Sequence, residues 1–179
     1  MKKIFTLSIC ALLLAGVITI SSCNSDPLIV PYNFGEQEVC LPASATQGYQ
    51  VFTYNIHHAD VTAALTAAGI TDLGRVTKAT LKTGFKAKIS TTGSNFDQIS
   101  NIEVYMKLTS ASGIGDQIAY SDVLTTGATE TILLINGTEM KQAVTSDITL
   151  TVKVLNKLSG NGPVCVKLTD GTINVSVRK

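Results

Sequence analysis

The sequence predicts an all-β protein, an antiparallel β-sandwich of about eight strands with one short helix. Three observations carry that expectation. Segments in which apolar and polar residues alternate recur at short intervals. They are rich in the β-branched residues Thr and Val, and the chain has no Trp. Turn-forming Gly, Asn and Asp residues separate them, and a single stretch carries a helical repeat.

After Cys23 the chain up to Gly48 holds Pro27, Pro31 and Pro42 and little periodicity. Residues 23–48 therefore read as a tether and an irregular first strand, and the sandwich domain is expected over residues 49–179. Gln50 to Ile56 sets Phe52, Tyr54 and Ile56 on one side and Thr53 and Asn55 on the other, as a half-buried strand does. In "DVTAALTAAG" Asp60 is placed to cap a helix, Val61, Ala64, Leu65 and Ala68 recur at helical spacing, and Gly69 supplies the stop. Val76 to Ile89 alternates again and predicts one long strand, bent near Gly84. Further on, Ile102, Val104, Met106 and Leu108 face in while Glu103, Tyr105 and Lys107 face water.

"DQIAYS" and "ETILLI" are two more strands, the second apolar enough to be buried on both sides. A turn of helix is expected over Thr138–Val144. Ile148, Leu150, Val152 and Val154 then alternate with Thr149, Thr151 and Lys153. Finally, Asp170-Gly171 predicts a two-residue hairpin that sets Leu168 against Ile173, Val166 against Val175 and Val164 against Val177. Strands of this number and spacing are those of an immunoglobulin-like architecture.

The start of the chain has its own logic. Met1-Lys2-Lys3 is basic, Ile4 to Ile20 carries no charge, and the small residues Ser21 and Ser22 lead into Cys23. That is the layout of an export signal over residues 1–22. The apolar run is short of the about 20 residues that span a bilayer, and no basic stop follows it. Ile20-Ser21-Ser22-Cys23 resembles the bacterial lipoprotein box. The resemblance implies diacylation of the Cys23 thiol, cleavage before Cys23 and acylation of the new amine, a handle that holds a membrane durably. Ordinary signal cleavage near Ser21 or Ser22, with Cys23 left as a thiol, is the alternative. Asn24 after the cysteine resembles signals that permit transfer to the outer membrane.

From Val76 to Lys157 the chain is also similar to small β-sandwich lipoproteins of Bacteroidota, in "SNFDQISNIEVYM" and in "IAYSD" before "TILLINGTEM". The resemblance implies fold and location and brings no functional residues.

Beyond Cys23, Cys40 and Cys165 each stand between two apolar residues, which puts both thiols on the strand face opposite the core. An exported protein permits a disulfide between them; free thiols are the alternative. With 14 basic and 13 acidic residues the net charge is +1, and loss of Lys2 and Lys3 with the signal brings it to about −1, which argues against a nucleic-acid partner.

"HHAD" holds both histidines, His57 and His58, and Asp60. Neighbouring residues at a strand end point to opposite faces, so one imidazole and the carboxylate are expected to meet, but not all three groups. A metal is not expected, because zinc takes three or four convergent ligands. No nucleophile elbow or helix-borne zinc motif occurs, so no catalytic residue and no cofactor is assigned. Lys78, Lys82, Lys86 and Lys88 form a one-sided comb, suited to an anionic glycan or lipid headgroup or simply to guarding a sheet edge. Tyr105 projects from a wet strand face and suits sugar stacking or cross-strand packing.

The expected function is a lipid-anchored, non-catalytic binding or assembly module of the cell envelope. Its partners are the membrane, through the anchor, and an envelope glycan or envelope protein. A fimbrial or surface-layer subunit, and a small hydrolase or metal-binding protein using His57 or His58, are the alternatives.

Overall fold

The structure is a computed structural model that describes residues 26–157 and 163–179. The expected signal segment, residues 1–22, and the expected lipid attachment point, Cys23, lie outside the described residues. The alternating segments form strands β1 (Leu28–Asn33), β2 (Gln37–Leu41), β3 (Gly48–Ile56), β4 (Val76–Leu81), β5 (Lys86–Ile89) and β6 (Ile99–Leu108). They continue as β7 (Asp116–Tyr120), β8 (Glu130–Ile132), β9 (Leu134–Ile135), β10 (Ile148–Asn156), β11 (Val164–Thr169) and β12 (Thr172–Val177). The helix α1 (His58–Ala67) follows β3. Every pairing is antiparallel.

Three sheets result, with strand orders β3-β10-β6-β7-β9, β2-β11-β5-β8 and β1-β12-β4. The protein is thus an all-β antiparallel sandwich. Twelve strands stand among the described residues where about eight were expected, because several extended segments deliver one strand to each of two sheets. The segment expected as tether and irregular first strand supplies β1 and β2 in this way.

Those divided segments share one corner. β1 passes to β2 through Gly35 at φ 78°, β4 to β5 through Gly84 at φ 95°, and β11 to β12 through Asp170 at φ 61°. Each residue takes a left-handed conformation that turns the chain out of its sheet. The strand order is preserved across the bend, with the β12 and β11 segment central on both sides. Hydrogen bonding is carried through it by Phe34 N–H to Gly171 O at 3.1 Å and Lys82 N–H to Thr172 O at 2.8 Å.

Asp170-Gly171 is therefore not the hairpin turn expected from its sequence. β11 pairs with β2 and β5 while β12 pairs with β1 and β4, so Leu168 and Ile173 belong to different sheets. The expected long strand from Val76 to Ile89 is likewise cut in two at Gly84, and Thr83 beside the bend is exposed. "ETILLI" changes sheets too. Leu133 is buried, but Ile132 and Leu134 are 59% and 44% exposed, so the segment is not covered on both sides.

What fills the corner is aromatic. Phe85 is fully buried and meets Phe34 edge-to-face, with ring centroids 5.9 Å apart. The distal end of the Phe34 ring lies against Gly171, where a Cβ would overlap its Cζ and Cε2. Leu133 N–H donates to Phe85 O at 2.9 Å, which brings the β8 to β9 crossing to the same point.

The helix ends as its sequence predicts. Gly69 at φ 81° follows Ala68, Ile70 N–H reaches back to Leu65 O at 2.9 Å, and Gly69 N–H reaches Thr66 O at 2.9 Å, a Schellman stop. Val61 and Leu65 are its buried residues. The short helical turn expected over Thr138–Val144 appears as a 3-10 turn at Lys141–Val144, with Ala143 and Val144 buried. No helix of the described residues is long and apolar enough to cross a membrane.

Cys40 and Cys165 face each other in register between β2 and β11 and are joined as a disulfide, Cα atoms 4.0 Å apart. Cys165 spends its N–H on Thr91 Oγ1 and its carbonyl on Ser90 N–H, toward β5. Its backbone groups thus turn away from β2, so the two cysteines form a close, non-hydrogen-bonded pair whose Cα atoms lie near enough for a bridge. The bridge closes a separation of 125 residues, which by chain entropy contributes about 5 kcal/mol.

Replacing Gly171 by Ala is expected to lower unfolding free energy by about 1–3 kcal/mol, because the corner is already filled. Urea unfolding measures this, and Phe34→Leu added to Gly171→Ala should recover part of the loss.

Candidate functional site

Period-2 alternation turns one face of the sheet β3-β10-β6-β7-β9 outward, where Thr149 and Thr151 of the central strand are nonetheless buried among their neighbours. Pairing aligns Thr53, Thr151 and Tyr105 in one row across β3, β10 and β6, and Asn55, Thr149 and Lys107 in the next. Val51, Lys153 and Glu103 form the row on the other side.

Glu103 is the hub of that last row. Its carboxylate accepts from Tyr105 Oη at 2.8 Å, Asn101 Nδ2 at 2.8 Å and Tyr49 Oη at 3.2 Å, and Lys153 Nζ lies 3.6 Å away. The same Lys153 ammonium sits 4.1 Å from the Tyr49 ring centroid and 5.5 Å from that of Tyr105. Burial first, and then the Glu103 carboxylate, hold the Tyr105 phenol above its ordinary pKa. Tyr105 is accordingly committed through its hydroxyl to Glu103 while its ring lies within reach of the ammonium, which is cross-strand packing of the ordinary kind.

Beside this cluster the sheet surface is concave. A groove of about 420 Å³ is lined by Val51, Thr53, Asn55, Lys107, Thr149 and Thr151, with Gly113 and Ile114 as a wall. Through Thr109 it adjoins a second concavity of about 370 Å³ bordered by His58, Ser110, Ser146 and Asp147. More of the lining is apolar than polar, and besides the Lys107 ammonium its polar side-chain groups are threonine hydroxyls and the Asn55 amide. Thr149 Oγ1 donates to Asn55 Oδ1 at 2.9 Å and lies 3.1 Å from Thr109 Oγ1.

Both histidines stand at the far end, held by one carboxylate. His57 Nδ1 is 3.1 Å from Asp147 Oδ2, His58 Nδ1 is 2.7 Å from Asp147 Oδ1, and His58 N–H donates to Oδ1 at 2.9 Å. The two imidazoles were expected on opposite faces. They meet because His57 ends the extended chain at φ −82°, ψ 131° while His58 already opens α1, so strand alternation no longer applies between them. Asp60 does not cap the helix as expected. It lies in the first turn, and the carboxylate at the helix start comes from Asp147.

The His58 backbone N–H, then the His58 and His57 rings, hold the Asp147 carboxyl well below the ordinary carboxylate range. An ionised carboxylate only accepts, so each Nδ1 donates, which in a neutral imidazole leaves Nε2 as the acceptor. That is the tautomer of a general base. Ser110 and Ser146 border the same concavity, but among the described residues no hydrogen bond joins either hydroxyl to an imidazole. Among the described residues no group of three His, Cys, Asp or Glu is arranged to hold a metal ion.

The four lysines do not form one row. The bend at Gly84 leaves Lys78 on β4, Lys82 at the corner, and Lys86 and Lys88 on β5 in another sheet. Lys86 pairs with Glu130 at 3.2 Å and lies 3.8 Å from Asp170. Lys88 stands between Lys167 and Glu130 in the register. Lys167 is paired in turn with Glu36 at 3.0 Å, which raises its pKa. This face carries mixed charge, not a cationic patch.

Two residues of these sites escape a reading of the sequence. Asp147 lies 90 residues from His57, and no local pattern links them. Glu103 is legible as outward-facing, but its four partners come from three strands. Neither known protein-family models nor curated protein sequences match the chain. Fold and site together define a class and no family: a disulfide-linked all-β sandwich with a groove on one sheet.

Because Asp147 is depressed in the folded state, its contribution is complete above the ordinary carboxylate pKa of about 4 and is lost as pH falls below it. Asp147→Ala should lower the melting temperature at pH 7 by about 3 °C. The gap from the unmodified protein should narrow between pH 4 and pH 2, as differential scanning fluorimetry across pH would measure.

Proposed function

We propose that this chain is a lipid-anchored protein of the cell envelope, held through Cys23 at the outer membrane, whose sandwich acts as a non-catalytic binding or assembly module. The observation that carries this reading is the Cys40–Cys165 bridge between facing strands. Such a bond persists in oxidising compartments outside the cytoplasm, in keeping with the lipoprotein-like box at Ile20-Ser21-Ser22-Cys23. The groove exposes the Thr53 hydroxyl and the Asn55 amide over a floor of buried Thr149 and Thr151, groups of the kind that exchange hydrogen bonds with a neutral envelope glycan.

Cys23→Ser should abolish incorporation of labelled palmitate and move the protein from the membrane to the soluble envelope fraction. Retention of the label by the variant would remove the anchor. In glycan-array binding, Thr151→Lys should weaken capture of a bound glycan at least tenfold, and unchanged capture would take the groove out of the reading.

The His57, Asp147 and His58 arrangement favours one second reading, a small hydrolase in which His58, oriented by Asp147, serves as base beside the hydroxyls of Ser110 and Ser146. Screening against ester and glycoside substrates decides between them. Turnover that His58→Ala reduces by about a hundredfold or more would replace the binding reading, and no turnover by the intact protein would dismiss the second.

A further inference from the structure

The edges of the three sheets are not treated alike. β1 carries Pro31. On β2 the Glu38 carbonyl is taken by Tyr54 Oη, and Cys40 is bridged. β4 is covered by Met140 N–H to Ala79 O at 2.7 Å and by the bridge of Thr80 to Glu139. β8 and β9 are only three and two residues long. These are the usual ways in which a sheet avoids pairing with a stranger.

β3 has none of them. Its nine residues, GYQVFTYNI, include no charge, no proline and no bulge in their pairing with β10. The direction of its free groups follows from the ladder. Thr109 N–H donates to Asp147 O at 2.9 Å, and antiparallel bonding alternates from there. Thr149, Thr151 and Lys153 therefore serve β6, while Leu150, Val152 and Val154 serve Tyr54, Phe52 and Gln50 of β3. The backbone groups of Tyr49, Val51, Thr53 and Asn55 point off the edge. Among the described residues nothing bonds to them.

Both faces of the strand are also short of cover. Tyr49 and Val51 are 43% and 56% exposed on the outer face. Phe52 and Tyr54, which point inward, are only half-buried.

We propose that the β3 edge pairs with β3 of a second copy of this chain, antiparallel about a two-fold axis at Phe52. The register fits the free groups. It sets Val51 against Thr53 and Tyr49 against Asn55 of the partner, all with outward-pointing backbone, for about eight new hydrogen bonds. Phe52 then meets its own copy in a close, non-hydrogen-bonded pair on the inner face, and Gln50 meets Tyr54. No like charges come together anywhere along the strand, so nothing opposes self-pairing. An isologous contact of this kind closes as a dimer and does not grow into a fibre. It uses the edge backbone of Val51, Thr53 and Asn55, whose side chains line the groove, but it is argued from the free backbone groups and does not rest on the anchor or groove readings above.

Sedimentation velocity of the full chain in detergent, over about a hundredfold range of concentration, should give a monomer–dimer equilibrium. Val51→Lys places a charge at the seam, and Thr53→Pro removes an N–H that serves no bond within the monomer. Each should weaken the dimer at least tenfold while leaving the melting temperature of the dilute protein within a few degrees. Mixed V51C and T53C chains should form an intermolecular disulfide faster than either variant alone. A chain that stays monomeric throughout, a dimer untouched by both variants, or cross-linking no faster in the mixture would overturn the pairing.

Discussion

The corner built from Phe34, Phe85 and Gly171 is the constraint on which the rest of the molecule rests. Three neighbouring chain segments bend at one level, and a bend shared by three strands opens a gap that backbone alone cannot fill. Two phenyl rings at 5.9 Å fill it, and they fit because residue 171 has no side chain. From that point the two smaller sheets diverge, and the β8 to β9 crossing at Leu133 ties them to the large sheet. The large sheet, β3-β10-β6-β7-β9, keeps its outer face for the groove.

The faces of the strands were legible because period-2 alternation survives whatever a strand pairs with. Ile102, Val104 and Met106 are buried, and Glu103, Tyr105 and Lys107 are not, as the sequence indicates. The outward placement of Cys40 and Cys165 was readable for the same reason, and it left the two sulfurs free to meet. The corner was not legible. Asp170-Gly171 offers a left-handed turn, and such a turn serves a hairpin or a strand that changes sheets equally well. What decides is whether β2 and β5 stand ready to take β11 from both sides, and that information lies far from Asp170-Gly171 in the chain.

The His57 and His58 site was half legible. Two adjacent histidines at the junction of a strand and a helix are conspicuous, but the alternation rule misplaced them because it stops where helical geometry begins. Their true partner, Asp147, is positioned by the pairing of β10 with β3 and β6, so it appears only once the sheet is assembled. The same assembly gathers Tyr49, Tyr105, Asn101 and Lys153 about Glu103. Side chains already satisfied by one another are stiff, so the groove beside them has a fixed wall on one side and a helix start clamped to a strand at its end.

The bridge from Cys40 to Cys165 also decides how this molecule bears a load. A chain pulled between its two ends with the bond reduced can be drawn out along its whole length. With the bond intact, tension bypasses the 125-residue span between the two sulfurs. Only the strand before Cys40 and the stretch after Cys165 can be paid out. The extension is short, and the groove, lying wholly inside the shielded span, keeps its shape while the ends are under strain.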